Sequence, residues 1–160
     1  VGSEMCIRDR PWEIGKGKII REGNQVCILS LGTRLGDSLI ASEKLASYGL
    51  STTVVDARFA KPIDELLITQ LARDHEVLVT VEEGSIGGFS AQVMSFLTKS
   101  AALDRELKFR PLFFPNRFIN HGKPDHQNIE CGIDQDSIVK TVLGALGIAT
   151  PAKFSIEERA

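Results

Sequence analysis

The chain has 160 residues, 42% hydrophobic and 25% charged, with a formal net charge of −2 and an isoelectric point near 6.0. That length suits one well-buried core rather than two domains, and scattered lysines and arginines provide no field for nucleic acid or an anionic membrane. Apolar runs are too short for a transmembrane helix and the first ten residues have no signal-peptide core, while three dispersed cysteines (Cys6, Cys27, Cys131) with no C-x-x-C suit a reducing cytoplasm and disfavour zinc.

In chain order, residues 1–10 (VGSEMCIRDR) match nothing that follows. They resemble the conceptual translation of sequencing-adapter sequence, which makes them a non-native segment and implies that the natural protein continues upstream. The domain then spans 11–149. Lys16–Arg21 and Val26–Leu31 are β-prone runs flanking Gly23-Asn24, which predicts a hairpin with the first strand antiparallel to the second. Leu35, Leu39, Leu45 and Ala46 follow helical spacing, with Ser38 and Ser42 on the same face and Gly49 as the stop. Thr52–Val55 predicts a short strand. Pro62 suits the first turn of a second helix whose face is Ile63, Leu67, Leu71 and Ala72.

Val77–Val81 is an almost wholly apolar run, as in a strand covered on both faces. Gly87-Gly88 launches a helix with Phe89, Val93, Phe96 and Leu97 on one face. Phe109–Phe114 predicts an edge strand, because Pro111 within it donates nothing to a ladder. A last helix from about Asp134 presents Ile138, Val142, Ala145 and Leu146 and ends at Gly147; residues 150–160 read as a loosely held tail. One antiparallel strand followed by four βα units predicts a three-layer α/β/α domain on a mostly parallel, five-stranded mixed sheet.

Few residues offer chemistry. The turn after Val81 carries Glu82, Glu83, Gly84, Gly87 and Gly88. Glycine at a helix start lets backbone N–H groups approach a phosphate, but this turn has no lysine or arginine. Its two carboxylates, if about 4 Å apart, repel by about 1 kcal/mol in water and would repel a phosphate likewise. The turn therefore reads as a packing or interface element. Arg58 and Lys61 follow the second parallel strand, at the edge where α/β sheets bind ligands; they can hold an anion, or pair with Asp56, Glu82 or Glu83 if those strand ends are adjacent. Phe59 reads as an apolar anchor. His75 closes a helix, where a histidine suits the dipole. His121 and His126 share the stretch PNRFINHGKPDHQN without a third partner and read as part of a surface connection. No nucleophile elbow, Walker sequence or G-x-G-x-x-G follows a strand.

The segments IGKGKIIREG, ILSLGTRL, VVDARFAKPID, VTVEEGSIGGFSAQV, FPNRFINHG and GIDQDSIVKTVLGALG occur in this order and at spacings that resemble the C-terminal domain of 1-deoxy-D-xylulose-5-phosphate synthase, of the transketolase superfamily. The resemblance spans about Pro11–Gly147; residues 127–133 (QNIECGI) depart from it, which puts a helix before Gly132 in doubt. It implies a five-stranded mixed sheet with an antiparallel first strand. It also implies a parent enzyme that uses thiamine diphosphate and magnesium to condense pyruvate with glyceraldehyde 3-phosphate, in isoprenoid and thiamine precursor biosynthesis. On that reading the catalytic, cofactor and metal residues lie in upstream domains, and this chain supplies none. Its partners are those domains and a second copy in a homodimer. The alternatives are a free-standing anion- or nucleotide-binding module, and the equivalent domain of a transketolase or a 2-oxo-acid dehydrogenase β subunit.

Overall fold

The computed structural model describes residues 12–149; the expectations for residues 1–10 and 150–160 lie outside the described residues. Five strands, β1 (Lys18–Arg21), β2 (Val26–Ser30), β3 (Thr52–Asp56), β4 (Val77–Ser85) and β5 (Lys108–Phe114), form one sheet in the order β1-β3-β2-β4-β5. All neighbours run parallel except β1, which is antiparallel to β3. The helices are α1 (Leu35–Ala46), α2 (Glu65–Asp74), α3 (Phe89–Lys99), α4 (Pro124–Cys131) and α5 (Gln135–Leu146). Strand alternation divides the core in two. Val26, Ile28, Val77, Val79 and Val81 pack with Ala41 and Leu45 of α1 and the buried face of α5. Cys27, Leu29, Val55 and Leu78 pack with α2 and with Phe89, Val93 and Leu97 of α3. This is the three-layer arrangement expected from the sequence.

Three local expectations are corrected. The first strand is antiparallel, but its partner is β3 rather than β2, so residues 22–25 are a crossover and not a hairpin turn. Every residue of β2 is buried, whereas Lys18, Ile19 and Ile20 of β1 are exposed. An interior β1 would bury Lys18 and Arg21 at several kcal/mol per ion, so the apolar strand takes the centre and the charged one the border. Gly23 lets the crossover pass over the start of β3: a Cβ there would stand 2.6 Å from Thr52 N. Thr53 Oγ1 fixes the passage, accepting from Gly23 N–H and donating to Gly23 O, each at 2.9 Å.

Pro62 and Ile63 precede α2 instead of opening it. The cap is Asp64, whose Oδ1 accepts the Leu67 N–H at 3.1 Å. Finally, the stretch before Gly132 is helical, with Pro124 in its first turn and Gly132 in the left-handed region at its end. As expected, Gly49 and Gly147, at φ +76 and +71, follow α1 and α5, and Pro111 lies in the border strand β5. In α1 the buried face is Ser38, Ala41, Ser42 and Leu45, with Ala46 exposed.

Candidate functional site

The sheet's carboxyl edge gathers the ends of β2, β3, β4 and β5, and the turn from β4 into α3 is its most constrained part. Strand β4 runs on through Glu82 and Glu83. Successive strand residues point to opposite faces, so the two carboxylates diverge. Glu82 follows Leu78 and Thr80 toward α3 and is 4% exposed. Its Oε2 accepts the Phe89 N–H, and its Oε1 accepts both the N–H and the hydroxyl of Ser90, all at 2.8 Å. Those are donors of the first turn of α3, where a helix favours negative charge. Hydrogen bonds to a charged group contribute about 1.5–3 kcal/mol each, which offsets the carboxylate's burial.

Glycine is required around this carboxylate for room. A Cβ at Gly84 would stand 2.5 Å from Glu82 Oε2, and one at Gly88 closer still. Gly87, at φ +96, supplies the left-handed residue of the turn, whereas Gly88 has φ −78. The phosphate-cradle geometry is therefore real, and its anion is the protein's own side chain. Glu82 and Glu83 do not face each other, because their side chains leave the sheet on opposite sides.

Glu83 turns to the other face, where Arg34 Nε stands 2.9 Å from its Oε1 and Arg34 Nη1 2.8 Å from Asp37 Oδ2. The Nε approach is an ion contact without hydrogen-bond alignment. Arg34 ends a short 3-10 turn, Gly32–Arg34, that leads directly into α1. Loss of water holds the Asp37 carboxyl above its usual range; Arg34 opposes that, and Asp134, Asp125 and Glu83 add to it. Arg34 was not foreseen as part of this edge, although its spacing to Asp37 at a helix start is the i, i+3 pattern of an ion pair.

Arg58 and Lys61 do not reach Glu82 or Glu83, because β2 lies between β3 and β4. Arg58 has a left-handed backbone, φ +60. Its N–H donates to Asp56 Oδ1 at 3.1 Å, its Nε stands 3.7 Å from Asp56 Oδ2, and its guanidinium lies 4.6 Å from the Trp12 ring centroid. Phe59 meets the same indole edge-on at 6.4 Å. Lys61 is exposed, has no ion pair among the described residues, and lines a groove of about 270 Å³ with Gln92, Ser95, Phe96 and Lys99. His75 joins Leu71 O through Nδ1 at 2.9 Å and Thr53 Oγ1 through Nε2 at 2.7 Å, bracing α2 against β3. His121 and His126 are exposed, and neither meets a carboxylate among the described residues. Arg117 instead ties their loop to α4 through Glu130 at 2.6 Å.

Carboxylates of Asp64, Glu82 and Asp134 already accept the first-turn N–H groups of α2, α3 and α5. Among the described residues, no cluster of three or more His, Cys, Asp or Glu side chains is arranged to hold a metal ion. No helix among them is long and apolar enough to cross a membrane.

A five-stranded sheet opened by one reversed strand, with its glycine-rich turn closed on its own carboxylate, defines a particular class of three-layer α/β domain. Residues 15–138 match the family described as "Transketolase, C-terminal domain", and the chain belongs to that family. Among solved structures it is similar to a split-gene transketolase, an inactive beta4 tetramer, with 28% identity and a TM-score of 0.76 over 87% of this chain and 45% of that one. A transketolase mutant from Pichia stipitis shares the fold, with 16% identity and a TM-score of 0.58 over 83% of this chain and 18% of that one. The chain thus spans less than half of the length of either.

Proposed function

We propose that this transketolase-type domain is the C-terminal, non-catalytic domain of a 1-deoxy-D-xylulose-5-phosphate synthase, a cytoplasmic homodimer, and that it supports the dimer on which the active sites are built. The observation that carries the structural role is the Glu82 carboxylate seated on α3. It turns the phosphate-like cradle at the start of α3 into a fixed strut and leaves Ile86 at the outer side of the turn, 66% exposed. The choice of enzyme is supported by the segments DARFAKPID and VEEGSIGGF, at the ends of β3 and β4. The parent enzyme's thiamine diphosphate and magnesium, and the carbon–carbon bond formation they support, belong to upstream domains on this reading.

Isothermal titration of the chain with thiamine diphosphate and magnesium is expected to give no heat of binding; a micromolar Kd overturns the proposal. Joined to its upstream reading frame, the protein should condense pyruvate with glyceraldehyde 3-phosphate and release carbon dioxide. Ketol transfer between sugar phosphates would instead identify a transketolase, the reading favoured by the similarity to the split-gene protein. A free-standing anion module has one observation in its favour, the pairing of Lys61 with Lys99 along one groove. That reading requires a rise in melting temperature with phosphate compounds that Lys61→Glu abolishes.

A further inference from the structure

We infer that residues 12–17 form a latched strap that makes the segment preceding β1 and the β3–α2 loop move as one body. The strap is held at two ends by different chemistry. At its start, the Arg58 guanidinium lies over the Trp12 ring, 4.6 Å from its centroid, and Phe59 meets the indole in a T-shaped pair, within the range of cation–π and edge-to-face attraction. Arg58 presents that guanidinium from a left-handed backbone at φ +60, a conformation an arginine keeps only when its surroundings compensate the strain. Asp56 compensates it from both sides, accepting the Arg58 N–H at Oδ1 and facing Nε with Oδ2.

At the strap's end the fixing group is a single carboxylate with two tasks. Asp64 Oδ1 accepts the Leu67 N–H that opens α2, and its Oδ2 accepts the Gly17 N–H at 3.2 Å, with Lys16 Nζ 3.9 Å from Oδ1. Gly17 has to be glycine for this approach, since a Cβ would stand 2.8 Å from Leu67 Cδ2 and 3.2 Å from Asp56 O. The strap and the first turn of α2 are thus registered on one side chain. A displacement of the chain ahead of Gly17 is passed through Asp64 to α2, and through Trp12 to the loop that carries Arg58 and Lys61. The inference does not depend on which enzyme the domain serves.

Trp12 is the only tryptophan of the chain, so its fluorescence reports the latch directly. Trp12 keeps 60% of its surface exposed, so the latch is read from the ring's freedom to turn: in time-resolved fluorescence anisotropy the fast local component should be severalfold smaller in the native protein than in urea. Asp64→Ser keeps a cap for α2, serine being a good N-cap, but does not reach Gly17. It should enlarge that component toward its amplitude in Asp64→Ala while losing much less of the melting temperature. Arg58→Gly fits the left-handed backbone yet removes the cation, and should enlarge it too. A native fast component equal to that in urea overturns the strap. An Asp64→Ser amplitude unchanged from wild type, in a folded protein, overturns the coupling through Asp64.

Discussion

At the scale of single residues, Glu82 illustrates how a carboxylate can be buried and still stabilise. Three donors of α3 converge on it, so its replacement exposes the helix start rather than merely deleting a charge. Glu82→Gln keeps the shape but turns an amide NH₂ toward a backbone N–H. We expect a loss of about 1.5–3 kcal/mol in chemical denaturation, whereas Glu83→Gln, on a partly exposed side chain, should cost less than about 1 kcal/mol. Equal losses for the two would contradict the divergence of their side chains. That divergence was legible in the sequence. The alternation Leu78, Thr80, Glu82 against Val79, Val81, Glu83 continues the strand past the apolar run. Ending β4 at Val81, where hydrophobicity stops, wrongly put both carboxylates in a loop facing each other.

At the scale of elements, the entry into α3 depends on how closely β4 and the helix approach. Gly88→Ala should cost about 1–3 kcal/mol by overpacking against Glu82, and the penalty should shrink in a Glu82→Ala background. A coupling of about 0.5–3 kcal/mol in the double-mutant cycle would be the signature; additivity would refute the contact. Positive φ plays no part at Gly88, since it belongs to Gly87. The face of α3, most of that of α5 and the glycine stops of α1 and α5 were readable because 3.6-residue periodicity and a C-terminal glycine are local signals; in α1 the expected face included Ser38, Ser42 and Leu45 but missed the buried Ala41. The partner of β1 was not. Gly-Asn between two β-prone runs is a hairpin signal, and only the competition for the buried centre, won by Val26–Ser30, moves β1 to the far side of β3. The start of α2 was missed for a similar reason: Asp64 is as good a cap as Pro62 is a first-turn residue, and Asp64 is also needed by Gly17. Short α4 has a weakly amphipathic sequence, and Pro124 and Gly132 are the only strong marks of its ends.

For the whole molecule, Cys27 offers a direct measure of cooperativity. It is the second residue of the central strand β2, with no exposure, and burial drives its thiol far above the ordinary cysteine range. Cys131 is partly exposed; loss of water and neighbouring Glu130 raise its thiol as well, with Arg117 opposing them. With Cys6 and Cys131 replaced by serine, the labelling of Cys27 should follow global unfolding, its rate falling in step with stability measured by denaturant. Rapid labelling under native conditions would mean that β2 opens locally. The two core halves on either side of this strand leave no obvious route for such an opening.

The reversed direction of β1 also decides where the polypeptide arrives. Lys18 stands beside Asp56 and Arg21 beside Val54, so the first strand descends from the rim that holds Arg58, Arg34 and the Glu82 turn. Run the other way, its four residues would deliver the chain about 13 Å lower, at the opposite rim. Flipping one border strand therefore places the threshold of the domain alongside the rim where Arg34 meets Glu83 and Arg58 meets Asp56, and anything tethered there is brought to that rim by geometry before any surface needs to attract it.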